Sequence, residues 1–108
     1  MNKPLASAIV DFFKAHNTGQ TDDFLNLFTA DALVHDEAHE YRGPAIRQWI
    51  DEAVAKYQPI ADITNITTQG DQTLVTAKVS GKFPGSPVQL CYRFTLRDDK
   101  IAELAIGP

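Results

Sequence analysis

The run Val34-His35-Asp36-Glu37-Ala38-His39-Glu40-Tyr41-Arg42 carries two of the chain's three histidines and its densest set of titratable groups. A carboxylate with imidazoles nearby is the equipment of general acid–base chemistry, in which one group takes a proton and a neighbour orients it or helps return the proton. Strand alternation decides which groups can cooperate. A short strand over Ala32–Asp36 places Ala32, Val34 and Asp36 on one face and Leu33 and His35 on the other, so Asp36 and His35 are not expected to enter one pocket. His39, past the strand, can instead fold back toward Asp36. Asp36 is therefore the candidate base and His39 its candidate partner. The plainer alternative is an Asp36 that caps a loop or pairs with Arg42.

The same stretch nearly matches H-E-x-x-H, in which two histidines one helical turn apart bind zinc. The context is wrong for it: the segment leaves a strand, Asp36 stands in place of the glutamate, and only Glu40 or the distant His16 offers a third ligand. No metal site and no cofactor are expected.

The elements that must position these groups are readable from apolar spacing. Leu5, Ala8, Ile9, Phe12 and Phe13 recur at helical intervals between Pro4 and Asn17, with Gly19 just past the end. Thr21 is placed to cap a short second helix, with Asp22 and Asp23 in its first turn and Phe24, Leu25, Leu27 and Phe28 on its buried side. Gly43-Pro44 opens a third helix with Ile46, Trp49, Ile50, Ala53, Val54 and Tyr57 on one face. After Pro59 the period changes to two, predicting strands over Ile60–Thr68, Thr73–Ser80, Val88–Arg97 and Ile101–Ile106. Turns fall at Gly70-Asp71 and Asp98-Asp99, and a loop spans Gly81–Pro87. In the third of these strands Val88, Leu90, Tyr92, Phe94 and Leu96 share one face, while Gln89, Cys91, Arg93, Thr95 and Arg97 share the other. Helices first and a strand meander last predict an α+β fold with helices on one face of a curved, mostly antiparallel sheet.

With 108 residues, 44% of them hydrophobic, residues 1–108 form one domain with one core. Ten basic against fourteen acidic residues give a net charge of −4 without any Lys or Arg run, which argues against a phosphate-tracking nucleic-acid surface. The apolar stretch after Met1-Asn2-Lys3-Pro4 is cut off by Asp11, too early for a signal peptide or a membrane span. A cytoplasmic protein without membrane attachment is expected, and the lone Cys91 fits a reducing compartment. Cys91 reads as a buried or interface thiol rather than a nucleophile, and His16 as a partner of the first helix's dipole.

The order of elements, together with Phe12-Phe13 through Gly19, Asp31-Ala32-Leu33-Val34-His35-Asp36, Tyr41-Arg42-Gly43-Pro44-Ala45-Ile46-Arg47-Gln48-Trp49 and the closing strands, resembles the nuclear transport factor 2-like superfamily. Within it, the likeness is to SnoaL-like and ketosteroid isomerase-like proteins, and it spans nearly the whole chain. The resemblance implies a cone with an apolar cavity, commonly in a homodimer built on the outer sheet face. It also implies a role for Asp36, whose place in the isomerase-like enzymes is held by an Asp that takes a proton from carbon next to a carbonyl. The place of the isomerase tyrosine holds Phe12, which has no hydroxyl, and the late-strand acid is replaced near Cys91 to Arg93, so steroid isomerisation itself is not expected.

Two functions remain open at this stage. One is a cofactor-free isomerase, cyclase or dehydratase acting on a small apolar carbonyl compound, with Asp36 and His39 catalytic and Phe12, Val34, Tyr41, Trp49, Tyr57, Phe83 and Tyr92 contacting substrate. The other is a non-catalytic binder of a small ligand, or a dimeric interaction domain, on the same fold. Fold alone does not choose between them.

Overall fold

The computed structural model describes residues 6–36 and 38–108. Two α-helices, α1 (Ser7–Thr18) and α2 (Ala45–Tyr57), lie with a 3-10 turn (Phe24–Leu27) against six strands. The strands are β1 (Phe28–Asp36), β2 (His39–Arg42), β3 (Ile60–Gln69), β4 (Gln72–Ser80), β5 (Val88–Arg97) and β6 (Lys100–Gly107). They form one sheet in the order β2-β1-β6-β5-β4-β3, antiparallel except where β1 meets β6.

Three expectations need correction or a boundary. The predicted start of α1 at Pro4 and Leu5 lies outside the described residues. The second helix is only a 3-10 turn whose N-cap, Asp23, makes no side-chain cap bond. Thr21 does not cap it, because its hydroxyl donates to Asp51 Oδ1 on α2 instead, and Asp51 is itself held by Arg47 Nε at 3.0 Å. With only one tight turn, Leu25 faces outward while Phe24 and Phe28 reach the core. Finally, His39–Arg42 forms an edge strand where only a loop was expected; its one apolar residue, Tyr41, is too few to show alternation.

Directly opposed residues on neighbouring strands point to the same side, so the register sorts the sheet into rows. One row runs Tyr41, Val34, Leu104, Phe94, Thr73, Thr68; the next runs His39, Asp36, Ile106, Tyr92, Val75, Ile66. Val34, Leu104, Phe94 and Val75 are fully buried, so these rows face the helices. Between them on the opposite face lie Glu40, His35, Ala105, Arg93, Leu74 and Thr67.

Phe12 anchors α1 to the helix-facing side. Its ring meets Phe13 at 5.1 Å, Phe94 at 5.3 Å and Phe24 at 5.5 Å between centroids, in tilted and edge-on geometries that such rings favour. Asn17 fastens the end of the same helix to β3: its Nδ2 donates to the Ala61 carbonyl at 3.0 Å, and the Ala61 N–H donates to its Oδ1 at 2.8 Å. The chain leaves α1 through Gly19 at φ +75°, where glycine is favoured, and a Cβ there would stand 3.2 Å from Val54 on α2.

Candidate functional site

Asp36 ends β1 on the helix-facing side, and Trp49 comes down onto it from α2. The indole Nε1–H donates to Asp36 Oδ2 at 3.0 Å. Trp49 lies on the same stripe as Ile46 and Ile50, all three buried. Its position is thus set by the apolar packing of α2, and the carboxylate answers the one polar atom that this packing carries inward. Tyr41, from the row beside Asp36, adds a ring 6.0 Å from that of Trp49.

His35 points to the other face, where its Nε2 meets Glu103 Oε2 at 3.1 Å, so Asp36 and His35 form no dyad. Arg42 stands opposite Leu33, again on the far face, and the alternative pairing of Asp36 with Arg42 is not realised. His39 is opposite Asp36 in the register and shares its face, with an exposed side chain at the sheet edge. The two imidazoles of the zinc-like motif therefore point to opposite sides of the sheet, while Glu37 lies outside the described residues. Among the described residues no three His, Cys, Asp or Glu side chains come together to hold a metal ion.

The other predicted contact residues divide into two groups. Phe12 and Val34 have no exposed surface and form packing beneath the site. Trp49, Tyr41 and Tyr92 surround or share a row with Asp36. Tyr57 and Phe83 sit further along, ring edge to ring face at 5.8 Å, both half-buried. They are held together because the Lys82 N–H donates to the Tyr57 carbonyl at 2.6 Å. The apolar face of α2 is closed over Ile46, Trp49 and Ile50 but only half-buried at Ala53, Val54 and Tyr57, and the helix-facing Val88, Leu90 and Ile106 are likewise half-buried. The apolar interior is thus least tightly closed toward the end of α2. A separate surface groove of about 540 Å³ between α1 and the 3-10 turn, lined by Asp11, Lys14, Thr18, Asp22, Asp23 and Leu27 among others, includes none of the predicted site residues.

Sequence reasoning assigned His16 to the helix dipole, yet the residue is buried and packs against Phe13 and Tyr92, with centroids 6.2 and 6.4 Å away. The signal was present: Ile9, Phe12, Phe13 and His16 fall at i, i+3, i+4 and i+7, one helical stripe. Its Nδ1 lies 2.9 Å from Asn17 Oδ1, an oxygen that can only accept, so Nδ1 carries the proton. Burial lowers its pKa below 6.5, against a smaller opposing pull from the Asn17 bond. Burial, and then the negative charge of Asp36, push the ionisation of Tyr92 well above that of an ordinary phenol, so Tyr92 keeps its proton at neutral pH.

The comparisons with known proteins agree with this architecture. The family model for the SnoaL-like domain matches residues 9–104, and the chain belongs to that family. A proposed polyketide cyclase from Sinorhizobium meliloti is 40% identical, with TM-score 0.91 and 95% of each chain covered. A hypothetical protein with a ketosteroid isomerase-like fold from Catenulispora acidiphila, solved with trimethylamine, superimposes with TM-score 0.83 at 18% identity, covering 97% of this chain and 87% of its own. The epoxide hydrolase/cyclase-like enzyme SalBIII, of pyran ring formation in salinomycin, gives TM-score 0.80 at 18% identity over 92% of this chain and 85% of its own; at that identity the likeness is one of fold. No curated protein matches the sequence significantly. Among the described residues no helix is long and apolar enough to cross a membrane.

Proposed function

We propose that this protein is a cofactor-independent isomerase, cyclase or dehydratase acting on a small, mainly apolar carbonyl compound, with Asp36 as general base. The observation that carries this reading is the half-buried Asp36 carboxylate, turned to the helix side of the sheet and held by the indole of the buried Trp49. Partial removal from water raises a carboxylate's affinity for a proton, and the Trp49 N–H on Oδ2 orients the group. His39, beside Asp36 at the sheet edge, is the group placed to pass protons to water. Trp49, Tyr41, Tyr92, Tyr57 and Phe83 contact the substrate, with Phe12 and Val34 beneath them as the floor. The proposed cyclase from Sinorhizobium meliloti supports this class of chemistry, since 40% identity over nearly the whole chain makes a shared pocket plausible in shape. A homodimer through the outer sheet face, where Cys91 and Thr95 lie, and a cytoplasmic location complete the reading.

A second reading, ligand binding without turnover, is favoured by Phe12: it is enclosed by other rings and brings no hydroxyl to the interior. Asp36→Asn separates the two. With a β,γ-unsaturated cyclohexenone as probe, conjugation of the double bond followed by NMR should slow roughly 100-fold or more under the catalytic reading. Equal rates for the two proteins, or no rate above buffer for the wild type, would favour the binding reading.

A further inference from the structure

We propose that the free edge of β3 is a docking edge for a second copy of this chain, which adds its own β3 antiparallel and joins the two sheets into one. This does not rest on the proposed function, and the surface is distinct from the outer sheet face.

β3 ends the sheet and is bonded on one side only, to β4. It holds three of the five large hydrophobics left exposed among the described residues: Ile60, Ile63 and Ile66. A fourth, Val10, lies seven positions before Asn17 on α1, hence on the flank of that helix whose end is fastened to β3. Edge strands are usually guarded by lysine or proline, or kept short. β3 runs for ten residues with neither, carries the single charge of Asp62, and is interrupted only by a bulge between Ile63 and Asn65. Exposed apolar groups gathered along one unpaired edge mark an interaction site.

The backbone is set for strand addition. At Ala61, Asn17 already does what an added strand does, one amide giving an N–H to the carbonyl and accepting the other N–H. Ala61 therefore turns both groups outward, and because inward and outward residues alternate in an antiparallel ladder, Ile63 does the same. Beyond the bulge, the two-residue turn Gly70-Asp71 makes Gln69 and Gln72 a bonded pair, which leaves Ile66 and Thr68 in the outward set. Ile63 and Ile66 thus present free backbone groups at the edge, with their side chains beside Ala77 and Val75 on the helix-facing side.

A two-fold axis between Thr64 and Asn65 makes this pattern complementary to itself. It sets Ile63 opposite the partner's Ile66, and Ile66 opposite the partner's Ile63. Each pair exchanges two N–H···O bonds, and the four isoleucine side chains meet on one face. The bulge adds its extra residue to this stretch in both copies, so the register is kept. A foreign strand without that bulge would pair at one isoleucine and slip at the other, and this selects a second copy as the occupant. Asp62 falls opposite the partner's Thr67, which keeps the two carboxylates apart. Because Asn17 occupies Ala61, pairing is confined to residues 62–67. So short an edge buries less than the roughly 800 Å² a side of a stable interface, and the dimer is reversible.

Amide exchange of the full chain, followed by NMR in dilute and concentrated samples, tests this. From about 20 µM to about 1 mM protein, exchange at the Ile63 and Ile66 N–H groups should slow at least about tenfold, while sedimentation velocity shows growth in mass. Ile63→Lys should abolish both effects. Ile66→Thr, which keeps a β-branched residue and so the strand, should weaken association at least about threefold. Exchange at Ile63 and Ile66 that ignores concentration in the wild type overturns the proposal, as does undiminished protection in either folded variant. Association that leaves these two amides fast belongs to another surface and overturns the edge assignment. Protection that never arises in the protein alone but follows addition of an isoleucine-rich peptide assigns the edge to a foreign strand and overturns the second copy.

Discussion

The indole nitrogen of Trp49 lies 3.0 Å from Asp36 Oδ2, joining the second turn of α2 to the last residue of β1 across 13 positions of sequence. The bond stabilises the charged carboxylate, and it couples helix placement to the state of the candidate base. Trp49→Phe removes the donor while keeping an aromatic ring. Loss of a hydrogen bond to a charged group should cost about 1.5–3 kcal/mol of stability in denaturant titration. Because the donor favours the ionised form, its removal should also move the acidic limb of the enone rate profile to higher pH.

Burial of His16 makes stability depend on pH. Its folded pKa lies below 6.5, so once pH falls through that value the unfolded chain binds the proton more readily than the folded one, and stability declines. His16→Leu, similar in volume and unable to protonate, should flatten this part of the curve. Thermal midpoints measured from pH 8 down to about 5 check it; equal slopes for wild type and variant would contradict the buried neutral imidazole.

Asn17 should matter more than its half-exposed surface implies. Asn17→Ala removes both amide bonds to Ala61 and the acceptor of His16. With an N–H and a carbonyl of β3 losing their partner, a loss of about 1–3 kcal/mol is expected by chemical denaturation, with faster amide exchange at Ala61.

Phe12→Tyr asks whether the interior can accept a hydroxyl at this position. Phe12 is completely buried, with Phe13, Phe24 and Phe94 around it. An added hydroxyl without a partner there should destabilise by about 1–3 kcal/mol, lowering the thermal midpoint without raising enone turnover.

Much of the fold was legible because its signals are local. Gly43-Pro44 marked the start of α2 within a residue or two, and strict alternation bounded β5 at Val88 and Arg97. Alternation likewise separated Asp36 from His35. What stayed hidden depended on packing between distant segments: Thr21 turned to Asp51 rather than to its own backbone, and β2 formed because β1 offered a pairing edge. The Asp36–Trp49 contact follows from the angle at which α2 crosses the sheet, which no local pattern encodes. His16 was a different kind of miss, since its stripe was visible and a charge-based explanation displaced it.

The parallel pairing of β1 with β6, the one such pairing among the described residues, sets the order in which the sheet can be completed. Asp36 and Tyr92 become neighbours of a common residue only when Ile106 slots between them, and everything from β2 through β5 must be made before that happens. A nascent chain stalled ahead of Lys100 would leave the flank of β1 unzipped and its apolar side chains available to other chains. Completion of the sheet therefore waits on β6, and clipping ahead of Lys100 should leave β1 without this partner well before it erases helical content.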